Sequence, residues 1–157
     1  MAPTASKARD RHAALRRRAD RATLVAMTVP FWCLLAAVIL PYVWGAISSG
    51  YRMKEFGKLD NKHPRAQAAK LTGTGARAYA AQANAWEALA VFAPAVFVAH
   101  LGAPASTLAP TLALVWLAAR VLHGLVYLAD VDKARSGAFF VGFACAIGLF
   151  LVGAGVI

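Results

Sequence analysis

The chain has 157 residues, of which 60% are hydrophobic and 15% charged, and its mean hydropathy of +0.55 is unlike that of an average soluble domain. This length allows one helical bundle and is too short for two domains. A formal net charge of +10 favours nucleic-acid binding in a soluble protein, but here the basic residues cluster in the N-terminal segment and beside apolar runs. That distribution is typical of membrane proteins, so we predict no nucleic-acid partner.

Residues 1–21 form a polar, arginine-rich tail. This composition predicts a basic arm near lipid headgroups, because clustered Lys and Arg are attracted to anionic lipids. A targeting peptide is the alternative, but the apolar run that follows is too long for a signal-peptide core and lacks a small-residue cleavage site. We assign the remaining residues, 22–157, to a single membrane domain.

Four apolar runs are each long enough to cross a bilayer, which takes about 20 helical residues. The first, from Ala22 to Tyr51, contains no charged residue. A buried soluble core is excluded because four such runs would leave almost no polar face. We therefore predict an all-α fold, an integral membrane four-helix bundle. Its spans cover about 23–49, 75–100, 107–129 and 136–157.

The orientation in the membrane is not decided by charge. The tail, the second loop and the C-terminus carry seven Lys and Arg residues, whereas the first and third loops carry nine. The positive-inside rule needs a larger difference.

The two cysteines, Cys33 and Cys145, both lie in apolar runs, which predicts small buried side chains with neither a disulfide nor a metal site.

The second span opens with polar side chains on one helix face. Arg77, Asn84 and Glu87 stand at offsets 0, 7 and 10, which fall within roughly one quadrant at about 100° per residue. An ionisable group at the bilayer centre costs about 2.5–3.5 kcal/mol and normally faces a partner, a cavity or a ligand. The stripe therefore predicts one wall of a polar site.

The third span repeats this pattern, with polar side chains at Arg120, His123, Tyr127 and Asp130. Because a short turn joins the two spans, they run antiparallel, and we expect Arg77 near the level of Tyr127 and Asp130. Glu87 and Arg120 lie deeper, where we expect them to pair. The alternative is that these groups only hold the helices together, with His123 as a packed, hydrogen-bonded histidine.

A resemblance follows from these spacings. The motif Arg77-x6-Asn84-x2-Glu87, then Arg120-x2-His123-x3-Tyr127, then Arg135-Ser136, resembles the family of membrane-associated proteins in eicosanoid and glutathione metabolism (MAPEG). The resemblance runs from about Leu24 to the C-terminus. Asp60-Asn-x2-Pro64-Arg65 also resembles the first loop of bacterial members, which implies a multi-pass protein of a bacterial inner membrane. The family further implies a homotrimer that binds glutathione between neighbouring subunits.

The resemblance implies a role for each matched residue. Five would bind glutathione as cofactor, namely Arg77, Asn84, Glu87, Arg120 and His123. Two would be catalytic, namely Tyr127 and Arg135. The arginine is expected to stabilise the thiolate, because a nearby cation lowers the pKa of a thiol and raises the population of its nucleophilic form.

The implied function is that of a membrane-bound, glutathione-dependent transferase or peroxidase acting on lipophilic small-molecule electrophiles among membrane lipids. The sequence departs from the family at Ala80, where glutathione-using members commonly carry arginine, and at Ala83, where some members do. Losing an arginine that pairs with a carboxylate costs about 2–5 kcal/mol of binding, so a diverged member with a structural or lipid-binding role is the alternative. A proton-coupled cation exporter is less favoured, because Arg77 and Arg120 would repel the cation beside Glu87.

Overall fold

Within residues 27–157, which the computed structural model describes, the secondary structure is entirely helical. The helices are α1 (Val29–Phe56), α2 (Pro64–Ala68), α3 (Gly73–Gly102), α4 (Leu108–Leu128) and α5 (Asp132–Gly153). All but α2 are long and apolar enough to cross a membrane. This confirms the predicted all-α membrane bundle with four spans. The predicted basic arm, residues 1–21, lies outside the described residues.

The first helix begins and ends at residues suited to those positions. Thr28 is extended and Pro30 occupies the first turn, where its missing N–H costs nothing. Gly57 closes the helix in a left-handed conformation, with φ of 73°. The helix continues to Phe56, past the predicted limit of the span at position 49. Hydropathy marks where the apolar surface ends, whereas the backbone stays helical until a residue such as Gly57 stops it.

Small residues allow the four long helices to approach closely, as is common in membrane bundles. Gly124 on α4 lies directly against the buried ring of Trp44 on α1. In the core, the rings of Phe92 and Trp116 stack with their centroids 3.7 Å apart. These contacts lie in two hydrophobic clusters, one that includes Trp44 and one that includes Phe92 and Trp116, and they hold α4 against α1 and α3.

The connection between α1 and α3 is held by side-chain hydrogen bonds. Oε1 of Gln67 on α2 accepts hydrogen bonds from Nε of Arg52, at 2.9 Å, and from the backbone N–H of Asp60, at 3.0 Å. The Asp60 carboxylate accepts the backbone N–H groups of Lys62 and His63, each at 2.9 Å. This Asx-type turn places α2 beside the ends of α1 and α3.

Candidate functional site

Arg77 joins the beginning of α3 to the end of α4. Its Nη1 lies 3.2 Å from Oδ2 of Asp130. Its Nε donates a hydrogen bond to the carbonyl oxygen of Leu128 at 3.1 Å, and its Nη2 donates to the hydroxyl of Thr74 at 2.9 Å. These contacts confirm that the start of α3 lies level with the end of α4. Each of the three guanidinium nitrogens of Arg77 therefore donates one hydrogen bond within its own chain, which uses three of its five N–H groups.

A buried network links α3 and α4 deeper in the bundle. Arg120 and His123 are only 4% and 3% exposed. Nη2 of Arg120 donates to the side-chain oxygen of Asn84 and, at 3.4 Å, to its carbonyl oxygen, and lies 3.5 Å from Nδ1 of His123. Burying a guanidinium without acceptors is costly. Asn84 therefore makes the burial of Arg120 possible.

Glu87 does not form the direct ion pair with Arg120 that the spacing predicts. In the described part of the chain, the ion pair within 4.0 Å is that of Arg77 and Asp130. Asn84 lies between the two charges: its Nδ2 donates to Oε2 of Glu87 at 3.3 Å, while its Oδ1 accepts from Arg120. The prediction was wrong because the shorter amide, one turn before Glu87, reaches α4 first. The Glu87 side chain stays exposed on the surface of the subunit.

Arg135 stacks on Tyr127 near the α4–α5 turn. The guanidinium carbon of Arg135 lies 4.5 Å from the centroid of the Tyr127 ring, a geometry typical of a cation–π interaction. The same ring packs edge-to-face against His123, with centroids 5.6 Å apart. Arg135, Tyr127, His123 and Arg120 therefore form a continuous series of contacts that runs from the turn into the bundle.

A cleft of about 200 Å³ lies between α3, α4 and α5, and we call it the α3–α5 cleft. Its polar end is formed by Asn84, Glu87 and Arg120. The remainder is apolar and lined by Ala88, Val91, Trp116, Phe139, Gly142, Phe143 and Ala146. An apolar cleft with a few polar groups at one end suits a small amphipathic or lipophilic molecule.

The family resemblance inferred from the motifs is tested by comparison with models of known families. The model of the MAPEG family matches residues 29–155. The chain belongs to the MAPEG family. The match spans α1 to α5 and confirms the resemblance inferred from the sequence. Comparison with curated proteins and comparison with solved structures both returned no match.

In this MAPEG chain, the predicted site residues fall into separate groups. Asn84, Glu87 and Arg120 line the α3–α5 cleft. The other four lie outside its lining: His123 is buried behind Arg120, Tyr127 and Arg135 stack beside the turn, and Arg77 binds the turn itself. Among residues 27–157, His, Cys, Asp and Glu side chains do not converge in a group of three. The polar groups that do converge are a guanidinium, an amide, a carboxylate and an imidazole.

The MAPEG bundle also contains a second cleft that sequence analysis did not identify. It measures about 480 Å³, lies between α1, α2 and α3, and is lined in part by Ser48, Arg52 and Arg65. The hydroxyl of Ser48 is buried and has no hydrogen-bond partner among the described residues. The available signal was the spacing of Ser48 and Arg52, which lie four residues apart on one face of α1. We call this the α1–α3 cleft.

Proposed function

We propose that the protein is a membrane-bound, thiol-dependent transferase or peroxidase that acts on lipophilic electrophiles. The observation that carries this proposal is the stack of Arg135 on Tyr127, continuous through His123 with the Arg120–Asn84–Glu87 network. Membership of the MAPEG family supports the reaction class, glutathione as the thiol and a homotrimer. The first-loop motif Asp60-Asn-x2-Pro64-Arg65 supports a bacterial inner membrane as the setting. Family membership also favours a transferase or peroxidase over a proton-coupled cation exporter.

Arg135 is the group that stabilises the thiolate. A guanidinium beside a thiol favours its ionised form and so raises the nucleophile concentration at neutral pH. The guanidinium carbon of Arg135 lies over the ring of Tyr127, and such a cation–π contact does not require an N–H donor, so it orients Arg135 and leaves its N–H groups for a ligand. Tyr127 therefore acts both as a platform for Arg135 and as a hydroxyl near the reacting sulfur.

The α3–α5 cleft receives the electrophile. Its aromatic lining, from Trp116, Phe139 and Phe143, suits a lipophilic molecule that enters from the bilayer. The thiolate sulfur forms a bond to the electrophilic carbon, the leaving group departs with the bonding electrons, and the thiol proton passes to water. The polar end of the cleft holds the thiol substrate, because Arg120 offers donors and Glu87 offers an acceptor for an ammonium group.

The test is ultraviolet absorbance of the thiolate on adding glutathione to the detergent-solubilised oligomer at neutral pH. We expect a stoichiometric thiolate signal for the wild type, its loss in Arg135→Ala, and partial retention in Arg135→Lys, which keeps the charge. Size-exclusion chromatography checks that each variant keeps the oligomer. An intact oligomer without a thiolate signal at millimolar glutathione would count against the proposal.

The second candidate is a lipid-binding role without catalysis, and the α1–α3 cleft favours it. Arg52 and Arg65 lie at one end, and the edge-to-face pair of Tyr42 and Trp86, with ring centroids 5.4 Å apart, lies at the other. Cations near a membrane surface with apolar groups below them suit an anionic lipid. Native mass spectrometry of wild type and Arg52→Gln would show whether a lipid is retained through this cleft.

A further inference from the structure

We infer that the α1–α3 cleft binds an anionic glycerophospholipid, with the lipid phosphate at Arg52 and Arg65 and an acyl-ester carbonyl at the hydroxyl of Ser48. This binding is separate from the proposed transferase or peroxidase activity and does not depend on it. Beyond a general lipid-binding role, the cleft selects the headgroup by its charge and the glycerol backbone by its ester carbonyl.

The hydroxyl of Ser48 indicates a ligand in this cleft. Ser48 is only 2% exposed and lines the cleft, and its Oγ has no hydrogen-bond partner in the part of the chain that the structure describes. A serine inside a helix can donate to the backbone carbonyl four residues earlier, but this one does not. A buried hydroxyl without a partner is costly. The carbonyl oxygen of a bound acyl ester would accept its hydrogen bond.

Two guanidinium groups give the cleft its charge. Arg52 and Arg65 are the charged residues in its described lining, which contains no carboxylate. Nε of Arg52 donates a hydrogen bond to Oε1 of Gln67 at 2.9 Å, which ties this guanidinium to α2. Guanidinium groups bind phosphate oxygens through paired N–H donors. A phosphate group is therefore the anion that this end of the cleft suits.

The groups along the cleft follow the order of the groups in a phospholipid. Residues 22–51 carry no charge, so Arg52, the first charged residue after them, marks the membrane surface. At about 1.5 Å per residue, Ser48 lies about 6 Å deeper along α1 than Arg52, and Tyr42 about 15 Å deeper. The headgroup layer on each side of a bilayer is about 5–7 Å thick. Arg52 therefore lies level with the phosphates, Ser48 with the ester carbonyls and Tyr42 with the acyl chains.

The deeper end of the cleft suits the acyl chains. Tyr42 and Trp86 are 62% and 41% exposed, and their rings pack edge-to-face with centroids 5.4 Å apart. Aromatic side chains of this kind offer large apolar surfaces near the membrane interface. A soluble anion would match only the charged end of the cleft, whereas an anionic lipid matches both ends.

The α1–α3 cleft is separate from the cleft proposed to receive the electrophile. Different residues of α3 line the two clefts: Tyr79, Gln82, Ala83 and Trp86 in the first, and Asn84, Glu87, Ala88 and Val91 in the second. At about 100° per residue, the two sets are separated by well over a quarter turn. Lipid binding can therefore be measured apart from turnover.

The test is native mass spectrometry of the full chain in detergent micelles, titrated with phosphatidylglycerol or phosphatidylcholine of identical acyl chains. We expect a Kd at least about tenfold lower for phosphatidylglycerol, and a rise of about fivefold in that Kd for Arg65→Gln. Lys54→Gln is the matched control, because it removes the same charge at a similar depth but lies on the opposite side of α1 from Arg52. Equal Kd values for the two lipids, or equal effects of the two variants, would overturn the inference.

The hydrogen bond of Ser48 is tested with an ether-linked phosphatidylglycerol, which has no ester carbonyl. We expect the wild type to bind the ester-linked lipid about fivefold more tightly than the ether-linked lipid. Ser48→Ala should bind both equally, and it should keep the stability of the lipid-free protein in SDS titration because it removes an unpaired hydroxyl. A wild type that does not distinguish the two lipids would overturn the inference.

Photo-crosslinking identifies the occupant of the cleft. Trp86→p-benzoylphenylalanine places a reactive aromatic ketone at the deeper end. In vesicles of equal phosphatidylglycerol and phosphatidylcholine, we expect the phosphatidylglycerol adduct to predominate, and Arg65→Gln to abolish that preference. A crosslink to a neighbouring subunit as the main product would show a subunit interface and overturn the inference. Displacement of phosphatidylglycerol by millimolar inorganic phosphate or glutathione would show a soluble-anion site, with the same consequence.

Discussion

The guanidinium of Arg77 lies 3.2 Å from the carboxylate of Asp130, and this contact braces the turn that leads to Arg135. The turn is short, because α4 ends at Leu128 and α5 begins at Asp132. Within it, Asp130 has a left-handed conformation, with φ of 64°. Arg77 therefore connects the start of α3 to the α4–α5 turn, and Arg135 follows that turn in the first turn of α5.

Substitutions of Asp130 separate the backbone requirement from the ion pair. Both Asp130→Gly and Asp130→Ala remove the contact with Arg77, which is worth about 0.2–1 kcal/mol for a partly exposed pair. Only alanine is strained at positive φ, so we expect Asp130→Ala to be less stable than Asp130→Gly by about 1 kcal/mol. SDS titration of the protein in mixed micelles measures the difference, and equal stability of the two variants would contradict it.

Asn84 is predicted to be the partner on which the buried Arg120 depends. Asn84→Ala leaves the guanidinium with the backbone carbonyl of residue 84 as its acceptor on α3, so we expect a loss of about 1–3 kcal/mol of unfolding free energy. In an Arg120→Met background the same change should cost little, because no buried donor is left unpaired. SDS unfolding of all four proteins gives this double-mutant cycle. Equal losses in both backgrounds would show that Asn84 acts independently of Arg120.

The four-span, all-α fold could be predicted from the sequence because it depends on the length of the apolar runs and on the periodicity of the polar residues within them. Four apolar runs of sufficient length predict four spans, and polar residues at helical spacing predict one face of the second and third helices. The short turn between α3 and α4 likewise predicted that the two helices run antiparallel, which places Arg77 near the level of Asp130. None of these inferences requires knowledge of side-chain conformation.

The finer contacts of the site depend on how far each side chain extends, which the spacing of residues along the sequence does not show. Helical offsets place Asn84 and Glu87 on one face but do not say which of them meets Arg120. The structure shows that the amide meets it first. The α1–α3 cleft was missed for a related reason, since its lining comes from three helices that are separate in the sequence.

Gly124 is predicted to be intolerant of any side chain. A Cβ atom at this position would overlap the ring of Trp44, which is buried. Overpacking of this kind costs about 1–3 kcal/mol, so we expect Gly124→Ala to be destabilised in SDS titration. Gly50→Ala on α1 is the matched control, because its Cβ would meet no atom within 4 Å and alanine favours the helix. Trp44→Leu should partly rescue Gly124→Ala, and failure to rescue would contradict the assigned contact.

The first loop is predicted to lose stability at acidic pH through Asp60. Its carboxylate accepts the backbone N–H of His63, and then that of Lys62, which holds the pKa of Asp60 below its ordinary value. Because the folded pKa is the lower one, this stabilisation is complete above the unfolded pKa of about 3.9 and is lost as the pH falls through the folded pKa. Asp60→Ala should therefore be less stable than the wild type at neutral pH, and the difference should shrink at acidic pH.

Thermal unfolding followed by circular dichroism, at several pH values between neutral and acidic, measures this difference. Asp60→Asn is the control, because the amide oxygen can still accept both backbone N–H groups but does not titrate. We expect its stability relative to Asp60→Ala to be independent of pH. A wild-type advantage over Asp60→Ala that stayed constant across the range would show that the Asp60 carboxylate does not contribute through its ionised form.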